Sequence, residues 1–228
     1  MEANGRMIGI VGRLGVRPMV KLSLPARRLL AYLAVRGGQV SRQRAVDELW
    51  PDSSEDIGRT NLRRSLWQVQ RGWIAVVGET LILESECDLP KARRSAARAM
   101  EGEAITFDEI DLISHDLLPG WHEDWVVEAH EEFRVIRVQA LEAACRTLSN
   151  RGNHPLAIQA GAAAVAAEPL SESASEALIE AHLAQHNRFE ALRAYRALAQ
   201  HLHCELGVPP NPVLANRLAD LGLLRMSA

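Results

Sequence analysis

The sequence predicts a mainly α-helical protein with a small β component, divided into two modules. Alanine, the strongest helix former, occurs six times before residue 91 and 27 times after it. Charge divides in the same way: residues 1–100 hold 17 Lys and Arg against 10 Asp and Glu, whereas residues 101–228 hold 9 against 19. We therefore expect a basic mixed module over residues 1–87 and an acidic, all-helical module over residues 88–228.

The basic module begins with two strands and two short helices. Apolar residues alternate around Ile8 and again over residues 20–24, on either side of a turn rich in Gly, Arg and Pro, which predicts a short antiparallel pair. A first helix is predicted from Pro25 to the glycines at 37 and 38. Ser41 is a good N-cap for a second helix, which Pro51 stops.

A third helix and a hairpin complete this module. The helix is predicted from about residue 57 to residue 71, because Leu62, Leu66 and Val69 form one apolar stripe. Residues 73–77 and 80–83 flank Gly78-Glu79, which predicts a β-hairpin with glycine at the first central position of its turn. Strands, three helices and a terminal hairpin together predict a winged helix-turn-helix.

The acidic module is predicted to be a tetratricopeptide-like array of helices. A long helix should run from about Glu123 to Gly152. Two similar segments that begin at Asn153 and Asn187 then follow, and they lie 34 residues apart, the period of a tetratricopeptide repeat.

The outer face of the third helix is the candidate functional surface. Arg and Gln can each make paired hydrogen bonds with a base edge, so we expect Arg63, Arg64 and Gln68 to contact bases. We expect contacts with phosphate or sugar from Arg59, Thr60, Trp67 and Arg71 on this helix, from Arg42 at the start of the second helix, and from Thr80 in the wing. The alternative interpretation is an ordinary solvated basic face, with Ser41 and Arg42 only capping their helix. Trp67 favours the binding surface, because a large aromatic side chain opposite the apolar stripe calls for a partner.

Motifs of other function classes are absent from the sequence. It contains no phosphate-binding GxxxxGK[ST], no GxSxG, no HExxH and no GxGxxG, so we expect neither an enzyme nor a bound cofactor. His201, His203 and Cys204 are spaced so that they would not converge on one metal ion along a helix, and we predict no metal site. Three distant cysteines and the lack of a long apolar run indicate a cytoplasmic protein without a membrane segment.

Several segments resemble the Streptomyces antibiotic regulatory protein (SARP) family of transcriptional activators. Residues 29–33, 41–42, 49–51 and 61–67 resemble its OmpR-type winged-helix DNA-binding domain. Residues 117–126, 168–172, 188–195 and 205–210 resemble the bacterial transcriptional activator domain.

This resemblance implies an activator that binds short direct repeats upstream of promoters, with protomers side by side as a homodimer on double-stranded DNA. It implies recruitment of RNA polymerase holoenzyme through the sigma, alpha and beta-flap surfaces. Within the third helix it assigns base contacts to Arg63, Arg64 and Gln68, and it places Thr60, Ser65 and Trp67 nearer the DNA backbone.

Two other functions remain compatible with the residues themselves. A tetratricopeptide-type adaptor would use the winged helix to bind protein and would have only weak, sequence-blind affinity for DNA. A ligand-sensing transcriptional regulator would seat a small molecule among the helices of the acidic module.

Overall fold

The chain folds into two units, and each unit is built from two separate stretches of the sequence. The computed structural model describes residues 5–69 and 72–224. The first unit contains the described residues up to Ala92 together with His115–Phe133, and the second contains Arg93–Ser114 and the described residues from Arg134 onward. The single boundary predicted near residue 88 does not capture this arrangement, because residues 115–133, here called the added segment, fold with the first unit.

The first unit combines three helices with two small sheets. Its elements are β1 (Met7–Gly9), β2 (Gly15–Arg17), α1 (Leu24–Val35), β3 (Gln39–Ser41), α2 (Arg42–Leu49), α3 (Glu55–Gln68), β4 (Ile74–Val77), β5 (Thr80–Leu83) and β6 (Glu86–Cys87). One sheet has the order β2-β1-β6 and the other the order β3-β5-β4. In the first sheet β1 is antiparallel to β2 and parallel to β6.

The antiparallel pair at the N-terminus was predicted, but its second strand was placed wrongly. We expected that strand over residues 20–24, whereas β2 ends at Arg17 and α1 already begins at Leu24. The end of this segment is helical because the Ser23 hydroxyl caps α1, accepting a hydrogen bond from the backbone N–H of Ala26 (3.4 Å), and because Pro25 lies in the first turn.

Helix α1 is the centre of the first unit. Its residues Leu29, Leu30, Tyr32 and Leu33 are fully buried. The added segment packs against it: the rings of Tyr32 and Trp125 meet edge to face with centroids 5.4 Å apart. Arg28 and Glu123 form an ion pair at 2.9 Å beside this contact. Trp125 is therefore a core residue of the first unit.

The second unit is helical throughout its described residues. Helix α4 (Asp88–Met100) begins in the first unit and helix α6 (Asp124–Asn150) begins in the added segment; both continue into the second unit. The remaining helices are α5 (Phe107–Ser114), α7 (His154–Ala167), α8 (Glu172–Ala184), α9 (Arg188–Leu206) and α10 (Pro212–Asp220). Asn153 and Asn187 are the N-cap residues of α7 and α9, so the 34-residue period marks equivalent helix starts.

Small residues let the repeated helices approach closely. A Cβ atom on Gly161 of α7 would lie 2.9 Å from Cys145 Sγ and 3.2 Å from Leu178 Cα, so glycine is needed where α6, α7 and α8 meet. A core of Ile179, Ala191, Leu198, Leu202, Leu214 and Leu218 joins α8, α9 and α10. The predicted mainly helical, tetratricopeptide-like fold is confirmed. None of the helices in the described part of the chain has the length and apolar composition that crossing a membrane requires.

We expect Trp125→Ala to lower the free energy of unfolding by about 3–5 kcal/mol, because it removes a buried aromatic ring from the contact with Tyr32. Trp67→Ala is the matched control, since the Trp67 side chain is 87% exposed and should change stability by less than about 0.5 kcal/mol. Chemical denaturation followed by circular dichroism measures both values. Equal, small losses would show that the Trp125 contact does not support the first unit.

Candidate nucleic-acid interface

The pairing of β3 with β5 brings the start of α2 against the wing hairpin. Ser41, the last residue of β3, lies opposite Thr80, the first residue of β5. The next backbone N–H, that of Arg42, donates to the Glu79 carbonyl at 2.8 Å. The Ser41 hydroxyl accepts from the N–H of Arg44 at 3.2 Å and so caps α2 as predicted. One residue therefore ends a strand, begins a helix and fixes the wing.

A cleft of about 300 Å³ opens where α2, α3 and the wing meet. Its lining residues are Arg42, Gln43 and Val46 of α2, Arg59, Leu62, Arg63 and Leu66 of α3, and Glu79 at the wing tip. Three predicted DNA-contacting arginines, Arg42, Arg59 and Arg63, thus converge on one surface. The pattern of residues along α3 alone could not predict this convergence, because Arg42 belongs to α2.

The three arginines of the cleft differ in how their charge is partnered. Arg59 forms an exposed ion pair with Glu55 one turn earlier (2.5 Å). Arg63 donates to the Thr60 hydroxyl at 3.4 Å, which keeps its guanidinium on the outer face. The side chain of Arg42 lines the cleft, but its Nε atom is buried and has no hydrogen-bond partner among the described residues.

Arg64 and Trp67 stand on the most open part of α3. Arg64 is exposed and makes no ion pair or hydrogen bond among the described residues. The side chain of Trp67 is 87% exposed. A free guanidinium and an exposed indole on adjacent turns form a surface that offers both hydrogen bonds and apolar contact.

Ser65 does not belong to this surface, although the family resemblance placed it near the DNA backbone. Its side chain is buried, at 2% exposure, and its hydroxyl donates to the Asn61 carbonyl at 2.9 Å. A side chain in this position faces the core, as that of Leu62 does, so we leave Ser65 out of the interface.

Gln68 is exposed but already engaged. The Ser23 hydroxyl, next to α1, donates a hydrogen bond to the Gln68 side-chain oxygen. Paired recognition of adenine needs both the oxygen and the nitrogen of the amide. Gln68 can therefore read a base in the predicted way if its oxygen, which has two lone pairs, is shared with Ser23 or released by it.

The other predicted contacts divide by position. Thr60 on α3 and Thr80 in the wing are half-buried at the rim of this surface. Arg71 lies outside the described residues. Gln43 and Glu79 also line the cleft, and neither was predicted. The signal for Gln43 was its position beside Arg42 in the first turn of α2, and Glu79 lay in the predicted turn of the wing.

The close fit of α3 against α2 depends on Gly58. A Cβ atom at this position would lie 2.5 Å from Val46 Cγ1, which is a distance that real Cβ contacts do not reach. Glycine costs helix propensity, yet here it lets α3 lie close enough to α2 to form the cleft. Glu55 and Asp56 in the first turn of α3 offset part of this cost through the helix dipole.

Arg44 is paired with Glu48 and does not line the cleft. Glu48 accepts from Arg44 at 2.7 Å and from Arg36 at 2.6 Å. Burial raises the pKa of Glu48, but the hydrogen bonds and charges of the two arginines outweigh burial and hold this pKa below its usual range. The charge of Arg44 is thus balanced inside the unit. Over residues 5–69 and 72–224, no group of three His, Cys, Asp or Glu side chains is arranged to hold a metal ion.

A winged helix with an open basic helix face, joined to a tetratricopeptide-like helical unit, defines the class of protein to which this chain is similar. The bacterial transcriptional activator domain matches residues 90–220, which is more than half of the sequence, and the chain belongs to that family. The resemblance to SARP-type regulators is thereby confirmed. No curated protein matches the sequence.

Among solved structures, the chain is similar to Mycobacterium tuberculosis EmbR in complex with a low-affinity phosphopeptide. The two share 20% sequence identity with a TM-score of 0.67, over 98% of this chain and 66% of the EmbR chain. At this identity the match shows the fold. The present chain spans slightly less than two thirds of the EmbR chain.

We expect Gly58→Ala to destabilise the first unit by about 1–3 kcal/mol, although alanine is the better helix former, because the added methyl overlaps Val46. The double variant Val46→Ala with Gly58→Ala should recover part of this loss, since it removes the overlapping methyl groups. Thermal unfolding of the wild type, the two single variants and the double variant measures the coupling. Additive losses would contradict the steric explanation.

Proposed function

We propose that this protein is a sequence-specific DNA-binding transcriptional activator. In this proposal α3 reads short direct repeats upstream of a promoter, and two protomers lie side by side on the duplex. The observation that carries the proposal is the convergence of Arg42, Arg59 and Arg63 on one cleft, beside the unpartnered Arg64, in a chain of the bacterial transcriptional activator domain family. The protein would act in the cytoplasm, at the nucleoid.

The proposed contacts follow from the chemistry of each side chain. Arg64 and Arg63 present planar forks that match guanine O6 and N7 in the major groove. Arg42 lines the cleft and begins a helix whose N-terminus favours anions, so it contacts phosphate. Thr60 and Thr80 at the rim, with Arg59 once it leaves Glu55, also contact the backbone. Trp67 packs its indole against deoxyribose or a thymine methyl group.

Activation is assigned to the acidic part of the chain. Residues 101–228 carry ten more acidic than basic side chains. Such a surface is repelled by DNA and attracts basic protein surfaces. We assign it to contacts with RNA polymerase holoenzyme, at its sigma, alpha or beta-flap surfaces, which hold the enzyme at the promoter. This mechanism needs no catalytic group and no cofactor.

Selection from a random DNA pool with the purified full-length chain tests the proposal. The bound fraction is sequenced at two salt concentrations. We expect enrichment of two directly repeated motifs about one helical turn apart. Salt-sensitive binding without any enriched motif would overturn sequence-specific recognition and would favour the adaptor function.

Arg64→Ala should weaken binding to the selected site by about 1–3 kcal/mol and change binding to random duplex DNA much less, because a base contact is lost. Arg94→Ala, at an exposed position of α4, is the control and should affect neither. Fluorescence anisotropy with both duplexes measures the difference. Equal losses on the two duplexes would remove Arg64 from the base-reading set.

Arg42→Ala should weaken binding to the selected site and to random DNA by similar factors, since phosphate contacts carry no sequence information. The plot of log K against log salt concentration should flatten by about one unit, as expected for one lost phosphate contact. A titration of salt with each duplex measures the slope. An unchanged slope would place Arg42 outside the phosphate contacts.

A further inference from the structure

A second concave surface lies in the first unit, and it shares no residue with the cleft between α2, α3 and the wing. It has a volume of about 750 Å³, within the range of ligand-binding clefts. Its apolar lining residues are Leu14, Val16, Met19, Val20, Leu22 and Leu30. They come from the turn after β1, from β2, from the connection to α1 and from α1 itself. We call this surface the N-terminal groove.

The apolar part of the N-terminal groove is exposed to an unusual degree. Leu30 forms its floor and is fully buried, whereas Met19 is 95% exposed. Leu14, Val16 and Leu22 are half-buried between these extremes. A methionine that is almost entirely exposed beside an apolar groove offers a flexible, polarisable side chain with nothing to cover it, which is typical of binding surfaces.

Unpaired cations surround this apolar lining. Arg13, Lys21 and Arg27 line the groove, are exposed, and make no ion pair among the described residues. Their neighbours in the same part of the chain differ: Arg28 is paired with Glu123 and Arg36 with Glu48.

The sequence explains why these charges stay unpaired. Residues 3–46 contain nine Lys and Arg and no Asp or Glu. The segment that builds the groove therefore supplies no local acid. Glu123 and Glu48 pair with Arg28 and Arg36, and Asp88 accepts from the backbone N–H groups of Ile10 and Val11. Anionic partners must come from outside the groove.

We propose that the N-terminal groove binds an acidic, amphipathic segment of a partner protein. Leu and Phe side chains of that segment occupy the apolar lining, while its Asp and Glu side chains pair with Arg13, Lys21 and Arg27. A DNA backbone fits the charges but has no apolar side chains to cover Met19 and Leu22. This inference does not depend on DNA reading by α3, since the two surfaces have no residue in common.

The test measures binding of a fluorescent synthetic 16-residue peptide with Glu on one helical face and Leu and Phe on the other. Two control peptides replace every Glu by Lys, or every Leu and Phe by Ser. The full-length chain should bind the first peptide and neither control, because both the charge and the apolar contacts are needed.

Variants at exposed positions separate the two contributions without disturbing the core. Arg27→Glu should weaken binding of the acidic amphipathic peptide about tenfold, since one attraction becomes a repulsion. Met19→Ser should weaken it about threefold. Arg94→Glu changes the net charge as Arg27→Glu does, lies outside the groove, and should leave peptide binding unchanged. Circular dichroism confirms that each variant is folded.

Four results would overturn the inference. In the first, the Ser-substituted peptide binds as well as the apolar one. In the second, Arg94→Glu weakens peptide binding as much as Arg27→Glu. Either result shows unspecific charge attraction. Met19→Ser has no effect on peptide binding while Arg27→Glu weakens random duplex DNA, which makes the groove a phosphate contact. Sedimentation detects self-association that Arg27→Glu abolishes, which makes the occupant a second copy of the chain. Loss of motif selection in the DNA experiment, by contrast, leaves this inference intact.

Discussion

The pairing of β3 with β5 is the constraint on which the basic face depends. Ser41 opposite Thr80 holds the wing against the start of α2, and the bond from Arg42 to the Glu79 carbonyl extends this ladder by one residue into the helix. The position of α2 then fixes α3, because Gly58 allows contact with Val46. These contacts together bring the arginines of α2 and α3 and the tip of the wing to one cleft.

Charge pairing decides which cations of the first unit are available to a ligand. Arg36 and Arg44 share Glu48, so either would have to leave a charge-assisted hydrogen bond to contact a phosphate. Arg59 must leave Glu55, but exposed pairs along a helix are worth only about 0.3–0.5 kcal/mol. Arg64 has no ion pair or hydrogen bond with any described residue, so it has none to leave. The availability of the arginines thus increases from the pair at Glu48 through Arg59 to Arg64, which a count of basic residues does not reveal.

Local features of the sequence predicted most elements, because helix caps and turns act over a few residues. Ser41, Pro25 and the glycine at 78 gave correct element ends, and Asn153 and Asn187 gave the repeat. Contacts between distant residues were not predictable in this way. The packing of Trp125 on Tyr32 joins residues 93 positions apart, and no local pattern encodes it. The contact between Gln68 and Ser23 is of the same kind.

The Ser23 hydroxyl links the N-terminal groove to α3. It follows Leu22, which lines the groove, and it donates to Gln68 while it accepts from the N–H of Ala26. One hydroxyl can make both bonds, since it has one proton and two lone pairs. The Gln68 oxygen also has two lone pairs, so a contact with adenine would either share this oxygen with Ser23 or replace a bond with a net worth of about 0.5–1.5 kcal/mol. Neither case disturbs the cap of α1. In the proposed interface, Ser23 therefore constrains the orientation of the Gln68 amide, although the two residues lie 45 positions apart.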